Sequence, residues 1–275
     1  MATLISHFAP HESGSPPIRI DSLSVRYNGT LALDDLKVEI PPGARVAIVG
    51  PNGAGKTTLL QVIAGTLEPS SGKVSVFGRG PHGHVCIAYV PQRSHVNWSF
   101  PVSVQDVVMM GRIRKLGIFR WPRSSDWALV ARSLEQVGML AYRDRPIGEL
   151  SGGQQQRVFL AQALAQEAEI ILLDEPLTGL DLPSQEAILN ALDTLHTMGI
   201  TVLIATHDLQ LAAERFDLVM LLNRRLISFG KPDEALSEKA LLSAYGGHLH
   251  VVPDEKGSIL LTDTCCDGDD EVRHG

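Results

Sequence analysis

Cysteine is scarce. Cys86 stands alone and Cys265 and Cys266 are adjacent, so no disulfide framework is available and the usage fits a reducing compartment. Basic charge is also short, 24 Lys and Arg against 31 Asp and Glu, for a net charge of −7. A surface of that sign argues against nucleic acid as a partner, because phosphate backbones are held by positive charge. No apolar run approaches the roughly 18 residues a membrane span needs, and Leu218 to Leu222 is among the longest. The opening MATLISHFAPHESGSPP lacks a basic n-region and is broken by prolines, unlike a secretory signal, so residues 1–16 are expected to be a flexible lead-in. Aromatics are few, yet five of the fourteen (Trp98, Phe100, Phe119, Trp121 and Trp127) fall between residues 98 and 127.

What is present is an α/β rhythm. Apolar residues alternate from Ile18 to Tyr27, Asn28-Gly29 supplies a hairpin turn, and the β pattern resumes to Ile40, which together predict a small antiparallel sheet. Val46 to Val49 is apolar throughout, as in a parallel strand covered on both faces. A loop over 50–55, a helix over 56–64 and a strand from Lys73 follow. Residues 94–150 are Arg-rich, aromatic and helical in patches such as 126–139, an inserted helical lobe. The alternation returns with a helix over 152–167, strand Ile170 to Leu173, helix 183–197, strand Thr201 to Ala205, a helix from about 208 and a late hairpin around Arg224-Arg225. The acidic residues 251–275 are expected to be a loosely ordered tail.

The chemistry concentrates in GPNGAGKTT. Gly50, Pro51, Asn52, Gly53, Ala54 and Gly55 form a glycine-rich loop ahead of Lys56, Thr57 and Thr58, matching the phosphate-loop pattern. Backbone N–H groups converge on phosphate oxygens only where no Cβ obstructs them, and the helix N-terminus behind adds partial positive charge. Lys56 is expected to reach the β- and γ-phosphates and Thr57 to ligate Mg²⁺. In IILLDEP, four apolar residues end in Asp174 and Glu175, at the strand edge where open α/β sheets bind ligands. Asp174 is expected to hold Mg²⁺ and Glu175 to activate a hydrolytic water. His207 closes the apolar stretch TVLIATH. It is either a polar boundary residue or, if its strand lies beside the one ending in Asp174, a ligand for the γ-phosphate and the water. In LSGGQQQR, Ser151 reads as a helix N-cap. Paired glycines inside a helix cost about 1 kcal/mol each, so Gly152 and Gly153 also suit a close backbone approach by an anion, which would belong to another subunit's nucleotide.

In order, VRY, GPNGAGKTT, VPQ, LSGGQQQR, ILLDEP, GLD and the strand-end histidine make the chain resemble the nucleotide-binding subunits of ATP-binding cassette (ABC) transporters over about residues 17–250. The resemblance implies an α/β fold: a P-loop NTPase (RecA-like) core over 17–92 and 160–250, a small antiparallel β subdomain, and an inserted helical subdomain over about 93–159. It implies ATP and Mg²⁺ as ligands, with Tyr27 stacking on adenine and Gln92 joining the Mg²⁺/γ-phosphate site to the helical lobe. Ser151, Gly152, Gly153 and Gln154 would clasp ATP bound to a second copy in a head-to-tail dimer, and Asp181 would link the two sites. The segment Gln92–Pro101 would touch an integral membrane permease, with Trp98 and Phe100 in that contact and Trp127 in the core of the helical lobe. Such a subunit would sit peripherally on the cytoplasmic face of a bacterial membrane.

VPQRSHVNWSFPVSVQDVVMMGR is similar to the ATPases of manganese, zinc and ferrous-iron importers, manganese first, which work with an extracytoplasmic metal-binding protein. Iron-siderophore importers and non-transport ABC ATPases, the latter usually with two cassettes or basic surfaces, remain as alternatives. His248, His250, Cys265, Cys266 and His274 could form a regulatory metal site in the tail, although their spacing fits no recognised zinc site.

Overall fold

The structure, a computed structural model, describes residues 14–27, 29–81, 86–92, 101–116, 120–246, 249–253 and 259–263. Its N-terminal part is a hairpin. Strand β1 (Ile18–Tyr27) pairs antiparallel with β2 (Thr30–Ile40), Tyr27 opposite Thr30, and β4 (Ser71–Val76) completes a three-stranded sheet in the order β2-β1-β4. The alternation read from the sequence buries Ile18, Ile20, Leu23 and Val25 on one face.

The second sheet carries the chemistry. Its order is β5 (Ile87–Val90), β6 (Ile170–Asp174), β7 (Thr201–Ala205), β3 (Arg45–Val49), β8 (Leu218–Asn223) and β9 (Arg225–Gly230). The first five run parallel and β9 is antiparallel at the edge. Parallel strands of this kind are covered on both faces, which is why they read as unbroken apolar runs. In β3, Val46 and Ile48 pack toward α1 (Lys56–Ile63) and the antiparallel sheet, whereas Ala47 and Val49 join the cluster formed with the helices of the other face. These include α6 (Leu182–Thr197) and α7 (Leu209–Arg215), with α8 (Pro232–Ala235) and α9 (Glu238–Tyr245) following β9. The α/β fold class expected from the sequence is the one observed.

The inserted segment supplies α2 (Val104–Met110), α3 (Ile113–Leu116) and α4 (Ser124–Gln136), which lead to α5 (Gly152–Ala165). Ser103 caps α2 in a reciprocal box with Asp106. Just before α2, a short ladder ties the chain to residues 145–147: Val104 N–H donates to the Arg145 carbonyl (2.9 Å) and Ile147 N–H to the Val102 carbonyl (3.0 Å). Arg112 then binds the lobe together. It donates through Nε and Nη2 to Asp126 Oδ1 (3.2 Å each), through Nη1 to the carbonyl of Ala165 at the end of α5 (3.0 Å), and to Glu167.

Two expectations are corrected. Trp127 was assigned to the core of the lobe, but it is 39% exposed. The buried stripe of α4 runs through Asp126, Val130 and Leu134, because Asp126 accepts from Arg123 N–H at the helix start and from Arg112, and this sets the rotation of the helix. The tail contains paired structure: β10 (Leu249–Pro253) and β11 (Ile259–Asp263) form an antiparallel ladder from Leu249–Asp263 to Pro253–Ile259. Their apolar and β-branched residues favour strands, and most of the acids fall outside them. Trp98, Phe100, Phe119, His248, Cys265, Cys266 and His274 lie outside the described residues. Among the described residues no helix is long and apolar enough to cross a membrane, and no group of three or more His, Cys, Asp or Glu is placed to hold a metal ion.

Asp126 is held well below the usual carboxylate range, first by the Arg123 backbone N–H and then by Arg112, so its contribution to stability is present above its ordinary pKa and lost as pH falls through the lowered one. Arg112→Ala leaves this buried carboxylate short of its partner and should cost about 3 kcal/mol. Thermal melting at neutral pH should drop by roughly 6–10 °C; a drop within a degree or two of wild type would reject the clamp.

Candidate nucleotide site

The phosphate loop follows β3 and opens α1. Gly50 is required by contact as well as conformation, since a Cβ there would lie 1.9 Å from the Leu222 carbonyl oxygen. Arg224 N–H, just past β8, donates to the Ala54 carbonyl (2.8 Å), so the neighbouring strand fixes both ends of the loop. Gly55 precedes α1 with φ 96°, and no side chain caps the helix. Its first amides are therefore a ready site for an anion. Asn52 and Gly53 are exposed, Pro51 and Thr58 are half-buried and Ala54 is buried.

Lys56 is 6% exposed and donates to the carbonyls of Gly50 (2.8 Å) and Pro51 (3.2 Å). Burial lowers its pKa, against the opposing pull of Glu175 and Asp174. Thr57 Oγ1 donates to Asp174 Oδ1 (3.0 Å), and Tyr89 OH reaches Asp174 Oδ2 (3.5 Å). Asp174 ends β6 at 2% exposure, and burial pushes its carboxyl up, the Thr57 bond opposing and the Glu175 charge adding to the rise. Glu175 comes next, with its N–H donating to the Ala205 carbonyl of the neighbouring strand (3.0 Å) and a left-handed φ of 47°. Gln92 Nε2 (3.1 Å) and Thr178 Oγ1 (3.3 Å) both donate to Glu175 Oε2.

Lys56, Thr57, Gln92, Asp174 and Glu175 thus converge as the sequence suggested. The register condition set for His207 is met, because β7 lies beside β6 with Ala205 opposite Asp174. The His207 ring is exposed and forms no hydrogen bond among the described residues. Tyr27, 43% exposed at the end of β1, likewise contacts none of this cluster through a hydrogen bond.

A second group forms around the start of α5. Ser151 and Gln154 make a reciprocal cap: Gln154 N–H donates to Ser151 Oγ (3.4 Å) and Ser151 N–H to Gln154 Oε1 (2.9 Å). Gly153 has an intrachain reason to be glycine, since a Cβ there would sit 2.5 Å from Ser184 Cβ. Ser184 N–H in turn donates to Asp181 Oδ1 (3.0 Å), so one serine ties Asp181 to the glycine pair. Ser184, Tyr89 and Thr178 were missed in the sequence. Only the position of Tyr89 in the apolar stretch before VPQ could have hinted at a role.

An uncapped helix behind a cradle too tight for side chains, with a buried ammonium inside it, fits a polyphosphate. The ABC transporter family matches this chain over residues 33–178. The chain belongs to that family. The manganese transport system ATP-binding protein MntA of Synechocystis sp. is 47% identical over 234 residues, 84% of this chain and 90% of the relative. The zinc transport system ATP-binding protein TroB of Treponema pallidum is 48% identical over 84% of this chain and 88% of its own. MntB of Bacillus subtilis, a manganese transport system ATP-binding protein, is 42% identical over 87% and 96%. A metal-chelate type ABC transporter solved in an inward-facing conformation matches with a TM-score of 0.76 at 28% identity, covering 90% of this chain and 96% of that one. The ABC subunit described here is accordingly an ATPase coupled to transport.

Because ionised Asp174 is disfavoured by burial, its charge opposes folding at neutral pH and the penalty lifts as pH falls through its raised pKa. Asp174→Asn should therefore raise the melting temperature without nucleotide by about 2–5 °C. A lower melting temperature would contradict this account.

Proposed function

We propose that this chain is the ATP-hydrolysing subunit of a bacterial importer for a divalent metal ion, manganese first, working through a separate permease and an extracytoplasmic binding protein. The observation that carries the metal is the likeness to MntA and MntB across nearly the whole length of each. TroB supports zinc as the next choice. Transport of a chelated metal is a second reading, favoured by the metal-chelate transporter fold at 28% identity.

Residues 17–250 are assigned as the ATPase domain. Lys56 sets its buried charge against the β- and γ-phosphates, and the loop amides with the start of α1 take the remaining oxygens. The Thr57 hydroxyl and the Asp174 carboxylate, hard oxygen donors 3.0 Å apart, fit Mg²⁺. The carbonyl oxygen of Gln92 is a third donor, since its nitrogen is used on Glu175. Mg²⁺ there would neutralise charge on the phosphate oxygens. Glu175 is the general base: Gln92 and Thr178 orient its carboxylate toward a water, whose proton it accepts as the water attacks the γ-phosphorus and the bond to the β–γ bridging oxygen breaks, releasing ADP and phosphate. His207, at the same sheet edge, steadies the water and the γ-phosphate. Tyr27 stacks on adenine.

In the proposed head-to-tail dimer, Ser151 and the first amides of α5 close on ATP held by the second copy, and Asp181 relays between the two sites. The permease contacts the Gln92–Pro101 segment on the cytoplasmic side of the membrane. The Gln92–Glu175 bond then joins that contact to the base, so motion of the segment alters how the water is held.

Glu175→Gln should keep ATP affinity within a few-fold and cut turnover by at least about 100-fold, measured by nucleotide binding and phosphate release. Turnover within a few-fold of wild type would remove Glu175 as base. For the cargo, uptake of Mn²⁺, Zn²⁺ and Fe²⁺ at limiting concentration should fall selectively for Mn²⁺ when the gene is disrupted. Loss of only a chelated metal would favour the second reading.

A further inference from the structure

We infer that the outer end of the helical lobe carries a contact site for anionic lipid headgroups, built around Arg120, Trp121 and Arg123. Residues 110–127, MGRIRKLGIFRWPRSSDW, hold five basic residues and one acid in a chain of net charge −7. Asp126 is buried on Arg112 and the Arg123 backbone, and Arg112 and Lys115 both pair with Glu167, so among the described residues the exposed positive charge lies with Arg120 and Arg123. Trp121 is 90% exposed, the highest value among the exposed large hydrophobic residues described. Met110, Ile113 and Trp127 are exposed as well. Arg120 forms no ion pair among the described residues and is exposed, as is Arg123.

The two ends of this stretch are held together. Asp126 receives Arg112, next to Ile113 and two residues beyond Met110, and also the Arg123 backbone. Both ends of the patch therefore meet at one carboxylate, with Trp127 beside it. An ordinary solvated face does not combine exposed indoles with exposed guanidinium groups in this way. Tryptophan prefers the level of lipid headgroups, where its ring is shielded and its N–H remains wet. Arginine beside it is drawn by anionic lipid. Charge decides between a bilayer and a purely apolar groove on a protein, since the patch supplies cations around its aromatics. The inference rests on the proposed seat of the subunit beside a permease, which brings this lobe to a membrane surface.

The test is co-sedimentation of the purified full-length chain with vesicles of phosphatidylcholine alone, or with about one-third phosphatidylglycerol. Wild type should bind the anionic vesicles and largely ignore the neutral ones. Each guanidinium at such a surface is worth roughly fivefold in partitioning, so Arg120→Glu with Arg123→Glu should weaken binding by about 20-fold or more. Trp121→Ser should weaken binding several-fold and remove part of the blue shift in tryptophan emission. Equal binding to both vesicle types, or variants that bind like wild type, would overturn the inference. So would failure to bind lipid while permease-containing membranes still retain the chain through this patch, which would make it a protein contact. None of these residues touches the nucleotide site, so basal ATP hydrolysis should be unchanged. Metal uptake unchanged on disruption of the gene, with vesicle binding intact, would count against the transport reading instead.

Discussion

Lys56 and Asp174 are nearly withdrawn from water at one edge of the parallel sheet, and neither has an opposite charge bonded to it. Lys56 leans on loop carbonyls and Asp174 on hydroxyl groups, which are dipoles. Burial consequently draws both groups toward their neutral forms, the lysine downward and the carboxyl upward. The charged form of both is favoured by a ligand that is anionic on the lysine side and brings a cation to the carboxylate side. A metal–polyphosphate complex has that polarity. The sheet order follows from the same need, because only β3 beside β7, and β7 beside β6, brings the loop, Asp174, Glu175 and the strand end before His207 to one edge.

The helical lobe is held to α5 at both ends. The ladder between residues 102–104 and 145–147 joins the chain emerging from the Gln92–Pro101 region to the stretch before Ser151. Gln155, buried in α5, donates to the Ile147 carbonyl (3.2 Å) and locks that stretch onto the helix whose first turn contains the glycine pair. At the far end Arg112 fastens α5 to the α2–α4 cluster. Bonded contacts thus run from residues 102–104 to both ends of α5.

Much of this was legible in the sequence because the decisive features are local. Runs such as VAIV and IILLD can only be buried parallel strands in this setting, and the loop, Thr57 and Asp174 follow from short motifs. What stayed hidden depends on partners far along the chain. Gln92 meets Glu175 across 83 residues, and Tyr89 reaches Asp174 across 85. Gly153 reads as an anion contact until Ser184 is seen against it. Trp127 was misplaced because a large aromatic in an amphipathic helix suggests core, whereas a capping carboxylate one residue earlier governs the rotation. The tail strands were masked by the average acidity of their surroundings.

The way the phosphate loop is propped has a consequence for biosynthesis. Its walls are the Leu222 carbonyl and the Arg224 amide, and the strand before it is anchored where Arg45 meets Asp217, 172 residues later. At ordinary translation speeds the loop leaves the ribosome roughly 10–30 s ahead of these supports. Until β7 emerges, β3 has neither parallel neighbour and is a strand apolar on both faces without a partner. A chain stopped before Leu218 would lack both of these walls of the loop.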